Sequence, residues 1–176
     1  MLDKARFLAD HGRQAGVKII WTIMVERSAD LNNETFGRNF LEEHIGHLNP
    51  DFQSDHFILK RSYSAFSCTG LKKFLADEGI TQQLYAGVRA TDCLKHTLYN
   101  AIEMPGEVAV IWDAVGDPRK NYAQDFKKDF QESALRNISF MLSDDLISEF
   151  SGYAMFRSHT AAPLTCLQYS GDFNPL

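Results

Sequence analysis

The chain has 176 residues, of which 44% are hydrophobic, 12% aromatic and 23% charged, with a formal net charge of −5 and a pI near 5.6. That length fits one domain with a sizeable core, and the composition excludes a disordered chain. The acidic balance opposes nucleic-acid phosphates, and no apolar run reaches the roughly 18–20 residues of a membrane span.

Cysteines stand at positions 68, 93 and 166, an odd count at irregular spacing that argues against a disulfide framework. The first residues mix Asp3, Lys4, Arg6 and Asp10 among apolar ones and lack the apolar centre of a signal peptide. A reducing, cytoplasmic setting is expected, with no nucleic-acid and no membrane partner.

Residues 2–15 read as a helix, because Leu2, Ala5, Leu8 and Gly12 recur at three or four residues and Gly16 supplies a stop. Residues 17–25 (VKIIWTIMV) form an apolar, β-branched run, the pattern of a strand buried on both faces. Residues 26–55 are polar and predict a long loop with a short helix at 40–45. A strand over 56–60 ends in Lys60. Thr69 is placed to cap a helix through Leu71, Phe74 and Leu75, which Gly79 ends.

Residues 82–88 predict the next strand and residues 92–104 the next helix, with Leu94, Leu98, Ala101 and Ile102 on one face and Pro105-Gly106 as its break. A strand over 107–112 follows, closed by the turn Gly116-Asp117-Pro118. The chain then reads as helical to about residue 150 on the stripe Leu135, Ile138, Leu142, Leu146 and Ile147, with Ser143-Asp144 as an N-cap inside it. The domain is therefore expected over 1–150, with 151–176 an irregular C-terminal tail.

Strands alternating with helices predict an α/β fold: three layers, a mostly parallel sheet with helices on both faces. Ligands bind such sheets at the carboxyl ends of the strands. Lys60, the 88–93 turn and Asp113 all fall at such ends and should gather at one edge.

Cys93 is the main candidate for chemistry. In the first turn of a helix it meets a positive dipole end and backbone N–H groups, which favour thiolate and suit an oxyanion. An ammonium from Lys60 would lower the thiol pKa further. The competing reading is a buried structural cysteine, a common fate of free thiols. There is no G-x-G-x-x-G after a strand and no P-loop, which removes a nucleotide-binding reading.

Three stretches resemble the isochorismatase-like cysteine hydrolases: Lys60-Arg61-Ser62-Tyr63-Ser64-Ala65-Phe66 with Thr69 and Leu71, then Gly87-Val88-Arg89-Ala90-Thr91-Asp92-Cys93-Leu94, then Asp113-Ala114 with Gly116-Asp117. The helix at 2–15 and the strand at 17–25 are similar to that family's first helix and second strand. The resemblance implies Cys93 as nucleophile, Lys60 as the cation holding thiolate and substrate, and the backbone N–H groups of Arg89 and Cys93 as an oxyanion hole. It also implies a cis peptide bond between Val88 and Arg89. The implied reaction is hydrolysis of an amide or related bond of a small-molecule substrate through a Cys93 thioester, without a cofactor. It also leaves room for a homo-oligomer.

One part of the pattern is missing. The family has a central strand ending in a catalytic aspartate before its first helix, and this sequence starts at that helix. The expectation is an isochorismatase-like fold with its first strand missing, leaving the strand at 17–25 and the Lys60 strand short of partners and Cys93 without a base. Two readings stay open: an N-terminally incomplete enzyme, or a degenerate relative serving as a binding or interaction module.

Other candidates are weaker. His44 and His47, beside Glu42 and Glu43, read as a solvated helix end, so no metal is expected. His96 points along its helix. Trp21, Tyr63 and Phe66 are candidate pocket residues, and Asp113 is expected to order a loop. Substrate identity would lie in residues 26–55 and in the tail.

Overall fold

The computed structural model describes residues 2–25, 38–132, 138–146 and, as a backbone strand, 166–171. In chain order the elements are α1 (Leu2–Gln14), β1 (Lys18–Met24), α2 (Arg38–Ile45), β2 (His56–Lys60), α3 (Leu71–Asp77), β3 (Gln82–Val88), α4 (Lys95–Ala101), β4 (Glu107–Gly116), α5 (Tyr122–Glu132), β5 (Ile138–Met141) and β6 (Cys166–Gly171). A wide π-type turn, Ala90–Leu94, joins β3 to α4.

The strands form one six-stranded sheet in the order β2-β1-β6-β3-β4-β5, and every pairing is parallel. Because side chains alternate along a strand, β1 to β5 pack against both faces of the sheet. On one face Ile19, Trp21 and Ile23 pack with Ala5 and Leu8 of α1 and with Leu41 and Ile45 of α2. On the other face Ile20 and Ile58 meet Leu71 and Leu75 of α3. Tyr85 and Val110 meet Leu98 of α4 and Phe126 and Phe130 of α5. Helices on both faces make the expected three-layer α/β fold. Among the described residues no helix is long and apolar enough to cross a membrane.

The ends of the early elements follow local chemistry. Gly79 leaves α3 with φ +64, a left-handed exit that glycine allows without strain. Gly70 occupies the N-cap position of α3, and Thr69 assists from one residue earlier, its Oγ1 accepting the Leu71 N–H at 3.2 Å. β4 runs four residues beyond the predicted end, past a register shift against β3 between Tyr85 and Gly87. Asp113 thus stands within a strand.

Two expectations for the later chain are corrected. Residues 138–141, predicted as helix, form the edge strand β5 on β4. Ile138 and Phe140 pack on the α5 side and Met141 on the α1 side, so the working period here is two, although the apolar spacing from 138 to 142 to 146 imitates a helix. A short helical turn follows over 143–146.

The larger correction concerns residues 166–171, predicted as irregular tail. They form β6 in the middle of the sheet, hydrogen-bonded to β1 on one side and β3 on the other. This is the seat that the resemblance assigns to a strand before the first helix. It is filled from the opposite end of the chain, so β1 has partners on both sides. The rest of the predicted tail lies outside the described residues, as do residues 26–37 of the predicted long loop and residues 133–137 and 147–150 of the predicted helical stretch.

Candidate active site

Lys60 is the last residue of β2, level with Met24 of β1. It is 1% exposed, and its ammonium donates to the carbonyls of Ser62 at 3.2 Å and Tyr63 at 3.0 Å. These two acceptors belong to the turn that follows the strand, so the chain folds back over its own cation. Two neutral carbonyls solvate an ammonium without neutralising it.

That turn is fastened to the helix carrying the cysteine. Ser64 Oγ donates to Asn100 Oδ1 at 2.6 Å, and the Ala65 N–H donates to Thr97 Oγ1 at 3.0 Å. The same Thr97 hydroxyl donates to the carbonyl of Cys93 at 2.7 Å. Thr97 is buried, so this relay lies out of water and joins the Lys60 turn to the Cys93 backbone directly.

Cys93 itself is a free, fully buried thiol in the π-type turn at the carboxyl end of β3. The helical segment begins two residues earlier than predicted, at Ala90. Gly87 takes φ +126, the Val88–Arg89 peptide is cis as the resemblance implied, and the Arg89 carbonyl accepts the N–H groups of Asp92 at 3.3 Å and Leu94 at 3.0 Å. The amides of Arg89 and Cys93 bracket this turn.

Asp117, just past β4, pins the turn from outside. Its carboxylate accepts the Thr91 N–H at 2.9 Å, the Thr91 hydroxyl at 2.6 Å and the Arg119 N–H at 3.0 Å. Burial pushes the Asp117 carboxyl up, but these hydrogen bonds and the Arg119 charge outweigh it and hold it below the ordinary carboxylate value. Asp92 takes both oxygens to Arg119, at 2.7 and 2.9 Å. Asp113 orders a loop as expected, accepting the N–H of Ser143 at 2.9 Å and its hydroxyl at 2.5 Å, with the Lys4 ammonium 3.3 Å away.

The predicted pocket residues separate. Tyr63 is half exposed, its ring 5.3 Å from that of His96, and His96 Nδ1 lies 2.7 Å from the Asp92 carbonyl on the outer side of the helix. Phe66 packs between the α3 and α4 cores and, with Asn100 and Met104, lines a small surface cavity of about 240 Å³ to which Cys93 does not contribute. Trp21 is a correction: it is fully buried in the α1 core, on the sheet face opposite Lys60, with Nε1 donating to Asp55 at 2.7 Å. Its place in β1 fixes that face, and only the register against β2 reveals that Lys60 uses the other. His47 is exposed, the His44 side chain lies outside the described residues, and no group of three or more His, Cys, Asp or Glu residues suited to a metal occurs among the described residues.

Sequence reasoning did not find Thr97, Asn100 or the anchoring role of Asp117. Thr97 has a local signal, a hydroxyl four residues after the cysteine on the same helix face. Asn100 and Asp117 act on segments about 26–36 residues away in sequence, a pairing that local spacing does not encode.

A parallel three-layer sheet with a buried thiol and a buried ammonium at its carboxyl edge defines an α/β protein with a candidate site at that edge. A family model, the Isochorismatase domain, matches residues 1–139, and the chain belongs to the isochorismatase family. The central strand β6 lies outside that match. A probable inactive nicotinamidase of Arabidopsis thaliana is 30% identical over 117 residues, 58% of this chain, and the chain spans about 60% of that relative's length. Among solved structures, an isochorismatase-like hydrolase from Alkaliphilus metalliredigens aligns with a TM-score of 0.69 at 19% identity, covering 85% of this chain and 84% of the other. An N-carbamoylsarcosine amidase from Thermoplasma acidophilum aligns at 0.66 and 23% identity, covering 81% and 82%. At these identities the structural likeness is one of fold.

Proposed function

We propose that this protein is a cysteine hydrolase that cleaves an amide or related bond of a small metabolite. One observation carries the reading: Cys93 and Lys60, both removed from water, stand at the same sheet edge and are tied together through Thr97. In the proposed reaction the Cys93 sulfur attacks the substrate carbonyl, backbone N–H groups of Arg89 and Cys93 hold the oxyanion, and the amine leaves from a thioester that water then hydrolyses. Lys60 holds the thiolate and the developing negative charge.

The test is ammonia or amine release from a panel of small amides, N-carbamoyl compounds and nicotinamide, paired with mass spectrometry of the protein. Turnover that vanishes in Cys93→Ala, with an acyl adduct on Cys93 in the parent, is the expected result. Turnover that survives Cys93→Ala overturns the reading.

The second reading is a catalytically degenerate member that binds small molecules or a partner. The description of the Arabidopsis relative as probably inactive favours it. Saturable binding of a panel compound without turnover at any pH is its signature.

A further inference from the structure

We propose that the cleft between α3 and α4 is a binding site for a small zwitterion, a free amino acid with an apolar side chain.

The space comes first. A cavity of about 240 Å³ opens at the surface, lined by Phe66, Ser67, Lys72, Asn100, Glu103 and Met104. Sites for drug-sized ligands span about 300–1,000 Å³, so this one takes something smaller. Phe66 packs against the cores of both helices and fixes one apolar wall, to which Met104 adds a second apolar side chain.

The two helices deliver opposite charges to that space. Lys72 lies in the first turn of α3. Glu103 lies two residues past α4, where its N–H donates to the Asn100 carbonyl at 3.3 Å. Neither side chain forms an ion pair with a described residue, whereas the neighbouring Lys73 is paired with Asp77. A zwitterion offers both their complement, a carboxylate to Lys72 and an ammonium to Glu103. A ligand with one charge meets repulsion from one wall: an anion faces Glu103 and a cation faces Lys72.

Neutral donors settle which end goes where. Ser64 Oγ accepts the Phe66 N–H at 3.2 Å and donates to Asn100 Oδ1 at 2.6 Å. That sets the Asn100 amide with its oxygen toward Ser64 and leaves its two N–H groups without an acceptor among the described residues. The Ser67 hydroxyl likewise has no partner among the described residues. An amide N–H and a hydroxyl on the wall that also carries Lys72 suit a carboxylate. Phe66 and Met104 then meet the apolar side chain. Cys93 does not line this cavity, so the site stands or falls independently of the hydrolase reading.

The test is isothermal titration calorimetry of the whole chain with L-leucine. Two analogues each lack one charge: 3-methylbutylamine has no carboxylate and 4-methylpentanoate has no ammonium. L-leucine is expected to bind saturably below about 10 mM, and each analogue about tenfold or more weakly, the loss of one charged contact. In Lys72→Gln the affinity for L-leucine is expected to fall to the level of 3-methylbutylamine in the parent, and in Glu103→Gln to the level of 4-methylpentanoate. Both positions are exposed, and unchanged thermal unfolding of the variants checks that they fold. No saturable binding of L-leucine up to about 10 mM overturns the proposal. Binding that neither variant weakens also overturns it, because leucine then sits elsewhere on the molecule. An analogue that binds as tightly as L-leucine overturns the zwitterion assignment.

Discussion

The Thr97 hydroxyl faces the Ala65 amide and the Cys93 carbonyl at once, accepting from one and donating to the other. Thr97→Val keeps the shape of the side chain and removes both bonds, leaving a buried N–H without an acceptor. The expected cost is about 1–3 kcal/mol, read as a lower denaturant midpoint with an unchanged slope. Thr97→Ser, which keeps the hydroxyl, is expected to recover most of it. Individual residues were legible where a strand end met a helix start, which is why Cys93 and Lys60 stood out. Asp117 was visible only as a turn former, because its grip on Thr91 depends on β3 and β4 lying side by side.

At the scale of elements, the starts of β3 and β4 are clipped together at one glycine. Gly106 has φ +122, and the Glu107 N–H donates to the Thr81 carbonyl at 2.7 Å. A Cβ at Gly106 would lie 1.8 Å from the Thr81 oxygen, a collision with backbone that no rotamer relieves. Gly106→Ala is expected to destabilise the protein by more than about 1 kcal/mol, seen as a lower Tm in thermal unfolding. The Pro105-Gly106 break was legible as punctuation, and the strand bounds at 56–60 and 82–88 agree with the structure because alternating or fully apolar runs ended by polar turns are local features. β5 was misread for an equally physical reason: a four-residue edge strand is too short for its period to stand out from the helical spacing around it.

For the whole molecule the decisive element is β6. Each of its two ladders joins a different half of the sheet, β2-β1 on one side and β3-β4-β5 on the other. Ending the chain after Thr165 would leave β1 and β3 as facing open edges with unpaired N–H and C=O groups. Such a variant is expected to lose cooperative unfolding and to aggregate, with fast amide exchange across β1 and β3; slow exchange in both strands would show that the halves cohere without β6.

Local sequence was sufficient for the α/β class, for the elements up to β4, and for the convergence of Lys60 and Cys93 at one edge, because periodicity, turn chemistry and the handedness of parallel connections act over neighbouring residues. The occupant of the central seat was settled only in three dimensions. The stretch Cys166-Leu167-Gln168-Tyr169-Ser170-Gly171 is mixed in polarity and carries no strong period of its own. It becomes a strand because β1 and β3 offer it backbone partners on both sides, a condition set by segments about 80–150 residues away.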